Sequence, residues 1–196
     1  MKKYELTTEV KVEFGVTLHR IRALVDIVRH GVKAGDLGGW VEKESNLDQG
    51  HDAGVCGEAQ VYGNARVSGD AWVFGNARVY GDARVSGDAR VSGNAQVYGN
   101  ARVSGDAQVS GDAWVSKTAH VLTVGPIGSR DDATTFFRAK FSAGFAISVC
   151  CGCFRGTVDE FRAKVKQTHG DSKYGEAYQL SADLAETQIE IDKEAL

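Results

Sequence analysis

Proline is almost missing: Pro126 is the single one in 196 residues, set against 24 glycines. That imbalance excludes a flexible proline- and glycine-rich linker and assigns the glycines to a repeated turn. Long apolar runs are missing as well. No stretch approaches the roughly 18 residues a membrane helix needs, and the start, Met1-Lys2-Lys3-Tyr4-Glu5-Leu6, has no apolar run of signal-peptide length. A cytoplasmic chain without a membrane span is expected. A dominant charge is lacking too, since the formal net charge of -3 gives no general drive toward nucleic acid or anionic membrane. Cysteines are few, and Cys150, Cys151 and Cys153 crowd together far from Cys56, which suits reduced thiols better than a disulfide framework. What remains, 42% hydrophobic and 25% charged residues, is an ordinary globular composition for one or two small domains.

What is abundant is periodicity. From Val55 a valine returns every six residues through Val61, Val67 and onward to Val121. Four residues after each of these valines except the last stands an alanine, from Ala59 to Ala119, and the two residues between are mostly Gly-Asn or Gly-Asp, as in Val79-Tyr80-Gly81-Asp82-Ala83-Arg84. Alanine and valine two apart on a short strand point the same way, inward, while Gly followed by Asn or Asp suits a corner. The unit resembles the hexapeptide repeat of left-handed β-helices, and the resemblance supplies the handedness. The expected fold is therefore mainly β: a left-handed parallel β-helix with an N-terminal β cap at 1–40, the helix at 41–121 and a small C-terminal α+β domain at 122–196. Val41 and Leu47 share the six-residue spacing two residues out of phase with Val55, which predicts a small insertion before the regular coils.

Coils eighteen residues long align the outward residues in columns roughly 4.8 Å apart. One face carries Tyr62, Tyr80 and Tyr98 beside Gln60, Arg78, Gln96 and Trp114; a second carries Arg66, Arg84, Arg102 and His120 beside Ser68, Ser86 and Ser104; a third carries Trp72 and Phe74 over Arg90 and Gln108. The tyrosines read first as a stacking ladder or trimer contact and second as a ligand surface. The arginines read first as a charge ladder paired with the corner residues Asp70, Asp88 and Asp106, and second as a polyanion track, so nucleic acid is not the expected partner.

At the ends, Val10–Phe14 and Val16–Leu18 alternate around Gly15 as a hairpin, with Ile21 to Ile27 a further strand or short helix. Three strands follow the repeat, around 122–128, 134–138 and 145–149. Thr157-Val158-Asp159-Glu160 is a capping box that starts a helix with Phe161 and Val165 inward, and a second helix from Ser172 to Ile191 places Tyr174, Ala177, Leu184 and Ile191 on one face. The motifs Val32-Lys33-Ala34-Gly35-Asp36-Leu37-Gly38-Gly39-Trp40, Gly128-Ser129-Arg130 with Thr134-Thr135-Phe136, and Cys153-Phe154-Arg155-Gly156-Thr157-Val158-Asp159-Glu160-Phe161 resemble a group of phage and prophage proteins built from a cap, a variable run of hexapeptides and a C-terminal module. The resemblance covers nearly the whole chain and implies lineage rather than activity.

Three chemistries can be weighed. Hexapeptide acyltransferases use a histidine base beside an extruded loop, but the spacing from Val55 to Val121 never breaks and His120 alone is expected on the wall. Zinc at Cys150, Cys151 and Cys153, with His169, meets poor spacing, because adjacent strand residues point to opposite faces; small buried thiols are favoured and no metal or cofactor is expected. The turn at Gly128-Ser129-Arg130 is the best small-molecule candidate, because exposed backbone N–H groups and a guanidinium can grip a phosphate, with Thr134, Thr135 and Arg155 adding donors. The expected function is a non-catalytic, phage-encoded binding scaffold, a homotrimer in the host cytoplasm, that counters host defence by sequestering a nucleotide-type signal or blocking a host protein. A self-assembling structural protein is the alternative, with an acyltransferase third.

Overall fold

In a computed structural model that describes residues 2–191, the six-residue spacing becomes a two-residue strand at each repeat. Residue 1 and residues 192–196, the outermost parts of the expected cap and module, lie outside that description. Strands β4 (Gly54–Val55), β5 (Gln60–Val61), β6 (Arg66–Val67) and β7 (Trp72–Val73) open the series and β14 (Trp114–Val115) closes it. Each rung pairs in parallel with one eighteen residues on, Gln60 with Arg78 and Gln96 with Trp114, so three parallel sheets wind a β-solenoid of about four turns. The valines and alanines from Val55 to Val115 form its interior, none more than 2% exposed. Burying small side chains at every second strand position is what the pattern requires.

The corners divide their labour in a way the Gly-Asn and Gly-Asp pairs do not reveal. Only the glycine is left-handed: Gly93 has φ +69°, and a β-carbon there would stand 2.8 Å from the backbone nitrogen of Gly111 in the next coil. The Asn or Asp that follows keeps a negative φ and joins the coils instead. Asn76 donates its backbone N–H to the Gly93 carbonyl at 2.9 Å and its side-chain amide to Asn94 Oδ1 at 3.4 Å.

At the N-terminal end β1 (Tyr4–Glu13) and β2 (Val16–Ala23) form a hairpin whose turn residues, Phe14 and Gly15, are both left-handed, as a tight two-residue turn demands. β2 pairs antiparallel with β3 (Leu37–Val41), which in turn pairs in parallel with β5, so the hairpin prolongs one wall over the first coil. Val41 faces Val61 and Leu47 faces Val67, twenty residues away, whereas Val55 faces Val73 at eighteen. Two extra residues therefore sit between Leu47 and Val55. Of the segment 21–27 only the first three residues are strand, and 24–36 is a loop with a short 3-10 turn at Val28–His30.

The solenoid ends one repeat earlier than its valines suggest. Val121 starts β15 (Val121–Ile127), which pairs antiparallel with β16 (Asp132–Phe141) and belongs to the C-terminal sheet. β17 (Gly144–Cys151) and β18 (Phe154–Thr157) complete that sheet in chain order, one strand more than the three expected. The extra strand is short and runs directly into the helix, which masks it in the sequence. Along β16 the side chains alternate: Phe137 and Ala139 join the solenoid core, while Phe136 packs with the helices. Helix α1 (Val158–His169) carries the reciprocal cap, in which the Glu160 N–H donates to Thr157 Oγ1 at 3.3 Å and the Thr157 N–H to Glu160 Oε2 at 2.8 Å. Helix α2 (Lys173–Gln188) buries Gly175, Tyr178, Ser181, Ala182 and Ala185. The face expected inward points out: Tyr174, Leu184 and Ile191 are exposed. Small residues win the inner face because they let α2 approach its neighbours closely; a β-carbon on Gly175 would meet the Gly170 carbonyl oxygen at 2.4 Å. No helix among the described residues is long and apolar enough to cross a membrane.

Candidate functional site

The tyrosine column forms, and it is occupied with itself. Ring centroids of Tyr62 and Tyr80 lie 5.1 Å apart at 3° and those of Tyr80 and Tyr98 5.0 Å apart at 8°. Tyr98 then meets Trp114 edge-on, and the Trp114 indole N–H donates to the Tyr98 hydroxyl. Burial between its neighbours pushes the Tyr80 phenol up to about 12, so it stays a neutral donor, to Gln96 Oε1 at 3.1 Å. With ring faces turned to one another, the ladder's free surface is its edges.

Arg66 and Arg84 stand in register, as do Arg84 and Arg102, and all three are exposed. They are not paired with the corner aspartates. Asp70 and Asp88 are held by Arg29, which reaches over from the N-terminal loop, 2.7 Å from Asp70 Oδ2 and in short contact with Asp88. Among the described residues the three arginines make no ion pair, because each leaves the first position of a two-residue strand while the aspartates sit at the corner. His120 does not continue this column: it lies in a 3-10 turn at Thr118–His120, fully buried, its Nδ1 3.2 Å from the Ser116 backbone nitrogen.

The five residues expected around the 128–135 turn separate. Thr134 and Thr135 are buried in mid-strand. The Thr135 hydroxyl accepts from the Gln108 N–H at 3.0 Å, and Thr134 donates to Cys151 Sγ at 3.1 Å. Arg155 donates to the carbonyls of Gly152 and Phe154 at 2.9 and 2.8 Å and to Gln108 Oε1 at 3.0 Å. Thr135 and Arg155 thus dock the module on the last coil rather than face a ligand. The reason is β-strand alternation at a two-sided sheet, where each face already has a partner.

Ser129 and Arg130 do share a cleft, of about 240 Å³, and the fold brings Lys164, Thr168 and His169 of α1 and Tyr178 of α2 to it. The turn Gly128–Arg130 closes on Tyr178, since a β-carbon at Gly128 would fall 1.9 Å from the Tyr178 oxygen. Burial, with the Cys151 thiol beside it, pushes Tyr178 up to about 12. Asp132 also lines the cleft, its Oδ1 taking the Ala133 N–H at 2.7 Å. Arg130 is exposed and makes no ion pair or hydrogen bond among the described residues. Lys164 and Thr168 are within reach of sequence reasoning, being four apart on a capped helix. Tyr178 is not, because the bulky residues of its helix suggest the opposite face.

The cysteines part as strand geometry demands. Cys150 Sγ lies 3.2 Å from Ser110 Oγ of the solenoid and burial raises its pKa, while Cys151 faces the helices. Cys153 is exposed on the cleft rim rather than buried in the module core. Among the described residues no group of histidines, cysteines and carboxylates is arranged to hold a metal ion.

Comparison with known families fits this architecture: residues 59–75, 77–93, 83–96 and 95–111 each match the family model described as the YdcK beta solenoid repeat. The chain is a repeat β-solenoid protein. The matched residues lie wholly within the regular coils, so the likeness concerns the scaffold and leaves the hairpin and the C-terminal module aside. No curated protein matches the chain.

Proposed function

We propose that this β-solenoid is a non-catalytic binding scaffold whose C-terminal cleft takes the phosphate end of a small ligand. The observation that carries the reading is Arg130, an exposed guanidinium without a protein partner among the described residues, in one cleft with Ser129, Lys164 and His169. A planar fork with free donors suits a phosphate bidentately, and a lysine beside it adds point charge. The cleft is small, so a nucleotide-type signal would insert its phosphate and leave its base outside. Lineage supports the setting: the resemblance to phage and prophage proteins suggests a host-cytoplasmic role in which such a signal is sequestered or a host protein is blocked by a homotrimer.

Isothermal titration with nucleotides and with inorganic phosphate tests the reading. Saturable heat that Arg130→Ala abolishes and Lys164→Ala weakens is expected; no heat, or heat unchanged in Arg130→Ala, removes it. Native mass spectrometry of the purified protein reads both the trimer and any retained molecule. The two alternatives fare less well on geometry. End-to-end assembly would need open edges on all three walls, yet one wall is capped at its start by the β1–β2 hairpin and met at its end by β16 through the bridge from Ala113 to Ala139. Acyl transfer would need His120 at the surface, where it is not.

A further inference from the structure

A second cavity, of about 420 Å³, lies at the opposite end of the molecule, between the N-terminal hairpin, the first coil and the loop 24–36 that crosses over it. Its walls are apolar, with Ile21, Ile27, Val32, Leu47, Trp72 and Phe74 prominent. Two glycines make room on the coil side. A β-carbon on Gly54 would stand 1.8 Å from the Trp72 ring, and one on Gly38 would meet Ile21 at 2.6 Å and the Val55 carbonyl oxygen at 2.7 Å. The volume falls within the range of roughly 300 to 1,000 Å³ usual for small-molecule sites.

The loop is tied down at several points. Ile27 and Val32 exchange backbone hydrogen bonds at 2.9 and 3.2 Å, His30 stacks on Trp72 with centroids 3.9 Å apart, and Arg29 clamps Asp70 and Asp88 of two successive coils. The cap thereby grips the repeat through the repeat's own corner aspartates.

The polar groups of the lining say what would fit. The Lys3 ammonium is fully engaged, donating to the carbonyls of Gly50, His51 and Ala53 at 3.1, 3.0 and 2.7 Å. The Tyr4 hydroxyl is bonded to the carbonyls of Glu44 and Leu47, and Asp36 accepts from the Lys33 N–H. The lining thus offers an anion no uncommitted cation. One group is left over: His30 Nε2 is buried with no hydrogen-bonding partner among the described residues, a costly condition that a ligand would relieve.

We propose that this cavity binds a small, uncharged, mainly apolar molecule bearing a single hydrogen-bonding group, which pairs with His30 Nε2 under the Arg29-clamped loop. The site is independent of the C-terminal cleft and differs from it in ligand class, so either can fail alone.

The test uses the full chain and two probes of one shape, 2-naphthol and naphthalene, followed by fluorescence titration and ligand-observed NMR. Wild type is expected to bind both saturably, 2-naphthol the tighter. His30→Phe keeps a ring on Trp72 but removes Nε2, and should weaken 2-naphthol about fivefold while leaving naphthalene unchanged. Ala23→Phe, which fills the cavity, should abolish both; if it does not fold, Val32→Trp fills the same space from the loop and decides the matter. Arg130→Ala should change neither. Absence of saturable binding, binding that survives a cavity-filling variant, or equal weakening of both probes by His30→Phe overturns the proposal.

Discussion

Along the solenoid Val79 lies beside Val97 and Tyr80 beside Tyr98, so a side chain mostly meets its own kind one coil on. In the C-terminal sheet adjacent residues separate: Phe137 enters the solenoid core and Phe136 the helix core, Cys150 faces Ser110 and Cys151 faces Thr134. Repetition reuses the same coil-to-coil bonds, as from Trp72, Phe74 and Asn76 to the coil above, and it leaves smooth walls. The irregular ends, where unlike elements meet, leave the two clefts. Stability and site are thus housed in different parts of the chain, as the additive energetics of repeat architectures would lead one to expect.

The largest test of that division is on β16. Phe136 and Phe137 are both buried, so either alanine variant should cost about 3 to 5 kcal/mol. The consequences should differ: Phe136→Ala loosens the module and exposes α1 and α2 to protease, whereas Phe137→Ala lowers the denaturant midpoint of the solenoid as well. Equal effects on both regions would mean that they are one cooperative unit.

Within the wall, two corner glycines separate conformation from stacking. Gly105 has φ +64° with nothing within 4 Å of an added β-carbon, so Gly105→Ala should cost about 1 kcal/mol of left-handed strain. Gly93→Ala adds the clash with Gly111 and should cost about 3 kcal/mol in urea titration. At the module, Thr157→Ala removes a reciprocal cap and should cost about 1 kcal/mol, seen as earlier loss of helical circular dichroism, with the solenoid unaffected.

The smallest expected effect concerns pH at the N-terminal loop. Burial first, then the charges of Arg29 and Arg90, hold His30 below its ordinary 6.5, against the opposing pull of Asp52 and Asp70. The folded ring therefore stays neutral where the unfolded one already takes a proton. Its contribution to stability is present above about pH 6.5 and is lost as pH falls below that value. The drop in urea midpoint between pH 7.5 and 5.5 should be smaller in His30→Phe than in wild type.

Part of this molecule is legible in its spacing and part is not. The coil interior, the two-residue insertion before Val55, the tyrosine column and the Thr157 capping box all follow from spacing, because each depends on residues a fixed and short distance apart. The partners of Asp70 and Asp88 cannot be read that way, since Arg29 comes from another element. The inner face of α2 escapes a reading that equates bulk with burial, because close packing selects Gly175, Ser181, Ala182 and Ala185. Val121 and His120 keep the period of the repeat and still leave it, drawn off by pairing with β16 and by the turn before it.

The amino-acid sequence by itself determined a repeat β-solenoid, its unlike outer columns and the helices that follow it, since a period that buries valine and alanine at every rung admits few other solutions. Tertiary structure alone decided what is left open. It drew Thr135 and Arg155 into the seam between module and coil and Thr134 to the opposite, helix-facing side of the sheet, left Arg130 without an ion pair among the described residues in one cleft with Lys164, and enclosed an apolar cavity around His30. Those outcomes depend on which distant elements compete for the same face, and no local spacing records that competition.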